Sequence, residues 1–394
     1  MSTSNSGKTS WRLLIVLVVI FLLALYGIFI FASHPRAVEI VMTSATQTAT
    51  QVKNAISGGG ENSSTTTNLR PLDKAAYDAK MLALANYPPL KTKTIVMVSS
   101  STGATSTKIV TIPPASPRLW PVKTAPYPNA GALLPFNRIV AYYGNLYSTQ
   151  MGVLGEYPKP QMLAMLASTT AEWAAADPST PVIPALDYIV VTAQGSAGAD
   201  GKYRARMPDS QTDQIVQMAQ QINGIVILDV QIGLSNVQTE VPLLEKYLKM
   251  PNVELAIDPE FAMHSGAKPG TVIGTLDATD INFAAQYLAN LVRQNNLPPK
   301  VLIIHRFTQE MVTNYKAITP LPEVQIVMDM DGFGSAAKKI NTYQSFIVSQ
   351  PVQFTGFKLF YKNDQIPSIA GSDHMMTPTE VLKLSPQPSF IQYQ

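Results

Sequence analysis

A (β/α)8 barrel is the fold this sequence predicts, and three observations lead there. After Pro135, apolar strand-like runs alternate with helical runs, the pattern of βα units around a parallel sheet. Eight such strands fit into about 260 residues, the size of one closed barrel. No strand is followed by G-x-G-x-x-G or G-x-x-x-x-G-K-[ST], which counts against an open doubly wound sheet, the runner-up.

The barrel is expected to stand behind a membrane anchor. Leu13 to Ala32 is an apolar run of about twenty residues without a charge, enough to cross a bilayer as a helix. Lys8 and Arg12 precede it, so residues 1–12 read as a cytoplasmic tail. A cleaved signal peptide is the rival, but the run is long for one, and the bulky Phe29 to Phe31 leave no small-x-small cleavage site. The expectation is an uncleaved, single-pass signal-anchor at 13–32 in the cell membrane, with the C-terminal domain extracytoplasmic. Residues 33–68 are rich in Ser, Thr and Gly around Gly58-Gly59-Gly60 and read as a flexible, disordered linker.

Residues 69–130 read as an N-terminal extension that packs on the barrel. Pro71 to Asn86 predicts a short helix, and runs 94–99 and 107–112 about Ser101-Thr102-Gly103 predict a hairpin. The barrel domain then occupies 131–394. Its strands are expected at 138–143, 184–193, 224–231, 253–258, 300–306, 324–330, 355–361 and 389–393. Helices are expected at 158–175, 211–222, 240–249, 279–296, 308–316, 335–348 and 377–384, so the arrangement is TIM-like.

Composition narrows the partners. The 394 residues carry 29 basic and 26 acidic side chains, a net +3 without any basic block, which speaks against nucleic acid. There is no cysteine, hence no disulfide framework and no thiolate metal site. No cofactor motif is present, and no H-x-H or H-x-x-x-H spacing marks a metal.

Chemistry is expected where the strands of such a barrel end. Three strands run apolar first and acidic last: Ile225 to Gln231 with Asp229, Val253 to Glu260 with Asp258, and Val324 to Asp331 with Asp329. Aspartate also ends strands by capping the next helix, but capping needs one acid, and the second residue on the same face has no such use. The remaining strand ends supply Tyr142, Tyr143 and Gly144, then Thr192 and Gln194, His305 and Arg306, Lys358, Phe360 and Tyr361, and Gln392 or Tyr393. Asp258 and Glu260 lie on one face, so mutual repulsion should hold one of them protonated near neutrality.

Asp258-x-Glu260 resembles the Asp-x-Glu motif of barrel glycosidases of the chitinase and muramidase type. The resemblance implies that Glu260 protonates the leaving oxygen while Asp258 assists attack by the substrate's 2-acetamido group. The longer D-x-x-D-x-D-x-E run is absent, since Glu254 and Ala256 stand at neighbouring positions and Pro259 fills the x. The segments Ile139 to Asn145, Ile257 to Glu260, Ile304 to Thr308 and Asp331 to Gly334 are also similar to an uncharacterised family of membrane-anchored bacterial surface proteins, a resemblance that implies setting and boundaries but no mechanism.

The expected site therefore has Glu260 and Asp258 as catalytic residues. Tyr142, Tyr143, Asp229, Gln231, His305, Asp329, Asp331, Lys358 and Tyr361 are expected to bind a carbohydrate or cell-wall polymer, with neither cofactor nor metal. Two other functions share the same residues: a glycan-binding or scaffold barrel without turnover, and a divalent-metal phosphoester hydrolase built on Asp229, Asp258, Glu260, His305 and Asp329.

Overall fold

The computed structural model describes residues 71–98, 104–114, 117–367 and 374–394. The expected tail, anchor, linker and the turn at 101–103 lie outside them. Among the described residues no helix is long and apolar enough to cross a membrane.

Eight parallel strands close into a barrel. They are β1 Arg138–Gly144, β2 Val182–Ala193, β3 Ile225–Val230, β4 Val253–Ile257, β5 Lys300–Arg306, β6 Val324–Met330, β7 Phe354–Leu359 and β8 Phe390–Tyr393. Each pairs in parallel with the next, and β8 pairs with β1 to remove both edges. Because both faces are covered, the strands read as continuous apolar runs rather than as alternating ones.

Side-chain parity divides each strand between two cores. Ile139 and Ala141, Ala185, Ile227, Ala256, Ile303, Val327 and Phe390 fill the barrel interior. Val140 and Tyr142, Leu186, Leu228, Leu255, Ile304 and Ile326 face outward into the layer of helices. The helix Lys74–Ala85 sends Tyr77 and Met81 into the interior cluster beside Leu134 and Phe354, and so stoppers the end where the strands begin. The predicted hairpin forms as Thr92–Val98 against Thr105–Thr111, antiparallel.

The helical layer departs from expectation in four places. Helices Lys159–Ala176, Asp209–Gln221 and Ala278–Asn295 form as the pattern predicts. The helix expected at 240–249 is broken into three short turns between Val237 and Leu248, because Pro242 cannot donate within a helix. No α-helix forms at 308–316: Val312 and Thr313 instead pair with Leu276 and Asp277, and Asn314 takes a left-handed φ of 54°. Arg306 reinforces that outcome by donating to the carbonyls of Thr308, Gln309 and Val312. The run after β6 is helical over Ala336–Thr342 and then widens to a π-turn at Tyr343–Val348. The last helix is a single turn, Pro378–Val381, closed by a Thr377/Glu380 capping box.

One glycine is required by close approach. A Cβ on Gly356 in β7 would lie 2.4 Å from Asp329 Oδ1 and 2.9 Å from Phe390 Cδ1. Gly356→Ala should therefore cost roughly 1–3 kcal/mol through overpacking, measured as a lower urea midpoint at unchanged m. An unchanged midpoint would mean that β7 can retreat from Asp329.

Candidate functional site

Above the apolar layers the barrel interior turns polar. Inward parity aims Tyr143 of β1, Asp187 of β2, Asp229 of β3, His305 of β5, Asp329 of β6, Lys358 of β7 and Gln392 of β8 at one another, and every one is buried. Asp258, Asp331 and Glu260 follow just past the ends of β4 and β6.

His305 is the hub. Its Nε2 lies 2.9 Å from Asp229 Oδ2, and its Nδ1 lies 3.1 Å from Asp329 Oδ2 and 3.5 Å from Asp331 Oδ2. Asp331 in turn takes Lys358 Nζ on its other oxygen at 3.0 Å. Lys358 Nζ also stands 3.9 Å from the centre of the Tyr143 ring, whose hydroxyl accepts from Gln231 Nε2 at 3.1 Å. Gln231 closes that arm by accepting from the Ala193 amide at 3.0 Å. From β8, between the strands of Lys358 and Tyr143, Gln392 donates to Asp187 Oδ2 at 2.6 Å.

The charge balance is uneven: six carboxyls (Asp187, Asp229, Asp258, Glu260, Asp329, Asp331) face two cationic side chains, His305 and Lys358. Buried charges must be paired or neutralised, so part of the set holds protons. Burial is the main cause that raises Asp187 and Asp258 well above the ordinary carboxylate range, with Asp229 adding repulsion at both. Asp329 is also raised by burial, against the pull of its hydrogen bond to His305. Burial works against a charge on His305, but the hydrogen bonds and charges of its aspartates reverse this and hold its pKa well above the usual value. For Lys358, too, burial opposes the charge, and Asp331, Asp329 and Asp258 outweigh it.

Glu260 differs from the rest in being only half-buried. It sits in the 3₁₀ turn Pro259–Phe261, where Asp258 Oδ1 accepts from its amide at 2.9 Å. Burial first, then the charge of Asp331, push its pKa up to about 7, while Lys358 and His305 pull the other way. Neither nearby cation neutralises it directly. Arg306 points outward to the carbonyls of Thr308, Gln309, Val312 and Phe346, and Lys358 pairs with Asp331.

A second buried pair fixes the loops above the site. Lys339 Nζ meets Asp364 Oδ2 at 2.9 Å and the Gly332 carbonyl at 2.8 Å. Asp364 accepts from the amides of Gly334 and Phe360. The segments after β6 and β7 that carry Asp331 and Phe360 are thereby tied together.

Of the eleven residues expected from the sequence, nine gather in or at the edge of this cluster. Tyr142 and Tyr361 do not. Adjacent strand residues face opposite ways, so with Tyr143 inward Tyr142 must point out, where its hydroxyl lies 2.8 Å from both Thr169 and Tyr361. Both tyrosines pack in the outer, helix-facing core. Asp187 is the residue that sequence reasoning missed. Strand β2 runs twelve residues, bulges between Ile189 and Val191, and continues past the rim to pair with Arg204–Arg206, so its functional level is not its end. An acid in the middle of Leu186-Asp187-Tyr188 was the signal that could have found it.

The described chain is thus an α/β barrel of eight parallel strands with an acid, histidine and lysine cluster at its C-terminal mouth. No family model and no curated protein sequence matches it. Among solved structures it is similar to a Plasmodium falciparum HPPK-DHPS with pteroate (10% identity, TM-score 0.31, 65% of this chain and 44% of that one). It is also similar to a ruminal GH26 endo-beta-1,4-mannanase (11% identity, TM-score 0.30, 66% of this chain and 59% of that one). The chain spans between 44% and 59% of the length of these two structures, and neither likeness assigns it a function.

Proposed function

We propose that the protein is a glycoside hydrolase in which Glu260 is the general acid, held at the membrane by residues 13–32 with the barrel outside the cytoplasm. The observation that carries this reading is a half-buried carboxyl at the barrel mouth whose pKa stands at about 7. Such a group still holds its proton at neutral pH and is close enough to that pH to release it, which leaving-group protonation requires. In the reaction Glu260 gives its proton to the glycosidic oxygen as the C–O bond breaks, and water then adds to the anomeric carbon, its proton passing to the carboxylate left on Glu260. Asp258 holds the backbone of Glu260 and is a positioning residue. Asp331 supplies the charge that keeps Glu260 protonated, and Lys358 moderates it.

A binding barrel without turnover is the second reading, favoured by Tyr147 and Phe333, 69% and 42% exposed on loops after β1 and β6. Release of reducing ends from a panel of glycans and peptidoglycan by the full-length chain separates the two. Turnover of at least one substrate is expected, with the rate falling as pH rises through about 7, because the ionised form of Glu260 cannot donate. No release from any substrate leaves only the binding reading, and a rate that is flat from about pH 6 to 8 removes Glu260 from the role.

A further inference from the structure

The layer beneath Glu260 contains a group that the glycosidase reading does not use. One ligand atom each from Asp187, Asp229 and His305 lies within 4.8 Å of the others, and all three side chains are fully buried. Among the described residues, no hydrogen bond reaches Asp187 Oδ1, Asp229 Oδ1 or the nearby Gln392 Oε1. A buried carboxylate oxygen without a donor is costly, and two of the three side chains that converge here each carry one, which a bound cation would satisfy.

The surroundings orient these atoms inward. Gln392 Nε2 occupies Asp187 Oδ2 at 2.6 Å, which leaves Oδ1 as the free oxygen. Asp329 Oδ2 faces His305 Nδ1 at 3.1 Å and can hold the proton there, so Nε2, 2.9 Å from Asp229 Oδ2, is the nitrogen that would give up its proton to a metal. A carboxylate behind a histidine in this way is the common outer support of a metal-binding imidazole.

We propose that Asp187, Asp229 and His305 Nε2 bind one divalent cation of the zinc or manganese class inside the barrel. One nitrogen and two carboxylate oxygens suit a borderline ion, and two carboxylates with a neutral imidazole balance its charge. In the absence of the ion, a proton on Nε2 does the same work, donating to Asp229 Oδ2 at 2.9 Å. Ion binding therefore displaces that proton to solvent and lets Asp187 and Asp229 close on the metal. The site lies below the mouth, beneath Glu260 and in the same polar layer as Tyr143, the register partner of Asp187. The proposal is independent of the carbohydrate reading, since Glu260 is not a ligand.

The test uses the full-length chain in detergent, stripped with a chelator and titrated with ZnCl2, and in a parallel arm with MnCl2, by calorimetry in two buffers of different ionisation enthalpy. One ion per chain, bound with proton release, is expected for the wild type and for Glu260→Gln. Asp187→Asn and Asp229→Asn should weaken binding at least about a hundredfold, and Asp329→Asn about ten- to a hundredfold through the histidine alone. Nitrogen-15 NMR of histidine keeps the question open to refutation where a variant fails to fold: zinc should shift the His305 Nε2 signal of the wild type while Nδ1 stays protonated. Failure of both ions to bind, or binding that leaves the His305 signals unmoved, overturns the proposal. A wild-type chain that binds zinc and turns over no glycan would sink the glycosidase reading alone.

Discussion

Glu260→Gln lowers kcat about 10²- to 10⁴-fold, the share of rate that a positioned general acid supplies, with KM little changed. Glutamine keeps the shape and cannot donate a proton to a leaving oxygen. The same substitution has a stability signature that a structural role would not produce. The pKa of Glu260 is raised from 4.5 to about 7 on folding, so the folded state binds the proton more tightly than the unfolded one. Its contribution to stability is fully present below about 4.5 and is lost as pH rises through about 7. Wild type and variant should therefore be equally stable in mild acid, and the variant the more stable above neutrality. Urea unfolding at about pH 4.5 and about pH 8.5 checks this, and a variant less stable at both would mean that Glu260 is a structural carboxylate.

Lys358→Met is expected to be the most damaging single change to the fold. The ammonium is buried, pairs with Asp331 at 3.0 Å and lies over Tyr143. Removing one partner of a buried pair leaves Asp331 with only the longer contact to His305 Nδ1 at 3.5 Å, at a cost of about 3–5 kcal/mol. Methionine nearly preserves the volume, so the loss would be electrostatic rather than a cavity. Because Lys358 also pulls the pKa of Glu260 down, its removal should move the alkaline limb of the rate profile to higher pH in whatever fraction folds. Urea unfolding measures the first effect and the pH profile the second. A loss below about 1 kcal/mol would mean that water, not Lys358, compensates Asp331.

How much of the fold and site is legible in the sequence depends on which physical signal each residue carries. The strands are readable because both of their faces are buried, and runs such as Ile225-Val226-Ile227-Leu228 admit few other environments. Asp229, His305 and Asp329 are readable because a polar residue at the end of such a run stands out. Asp187 is hidden by a bulge and by a strand that outruns the barrel, so that counting back from its end misplaces the functional level. Tyr142 is misplaced when residue type is weighed without parity, although one inward tyrosine forces its neighbour outward. The helix expected at 308–316 fails on tertiary grounds: Arg306 captures carbonyls that a helix would need for itself.

The glycosidase reading depends on a carboxyl at the barrel mouth that keeps its proton at neutral pH. Carbon-13 NMR of the full-length chain labelled at glutamate Cδ measures this directly, with Glu260→Gln identifying the resonance by its disappearance. A midpoint near 7 is the expected result. A midpoint near 4.5, the ordinary glutamate value, would leave Glu260 ionised at neutrality and unable to act as the acid.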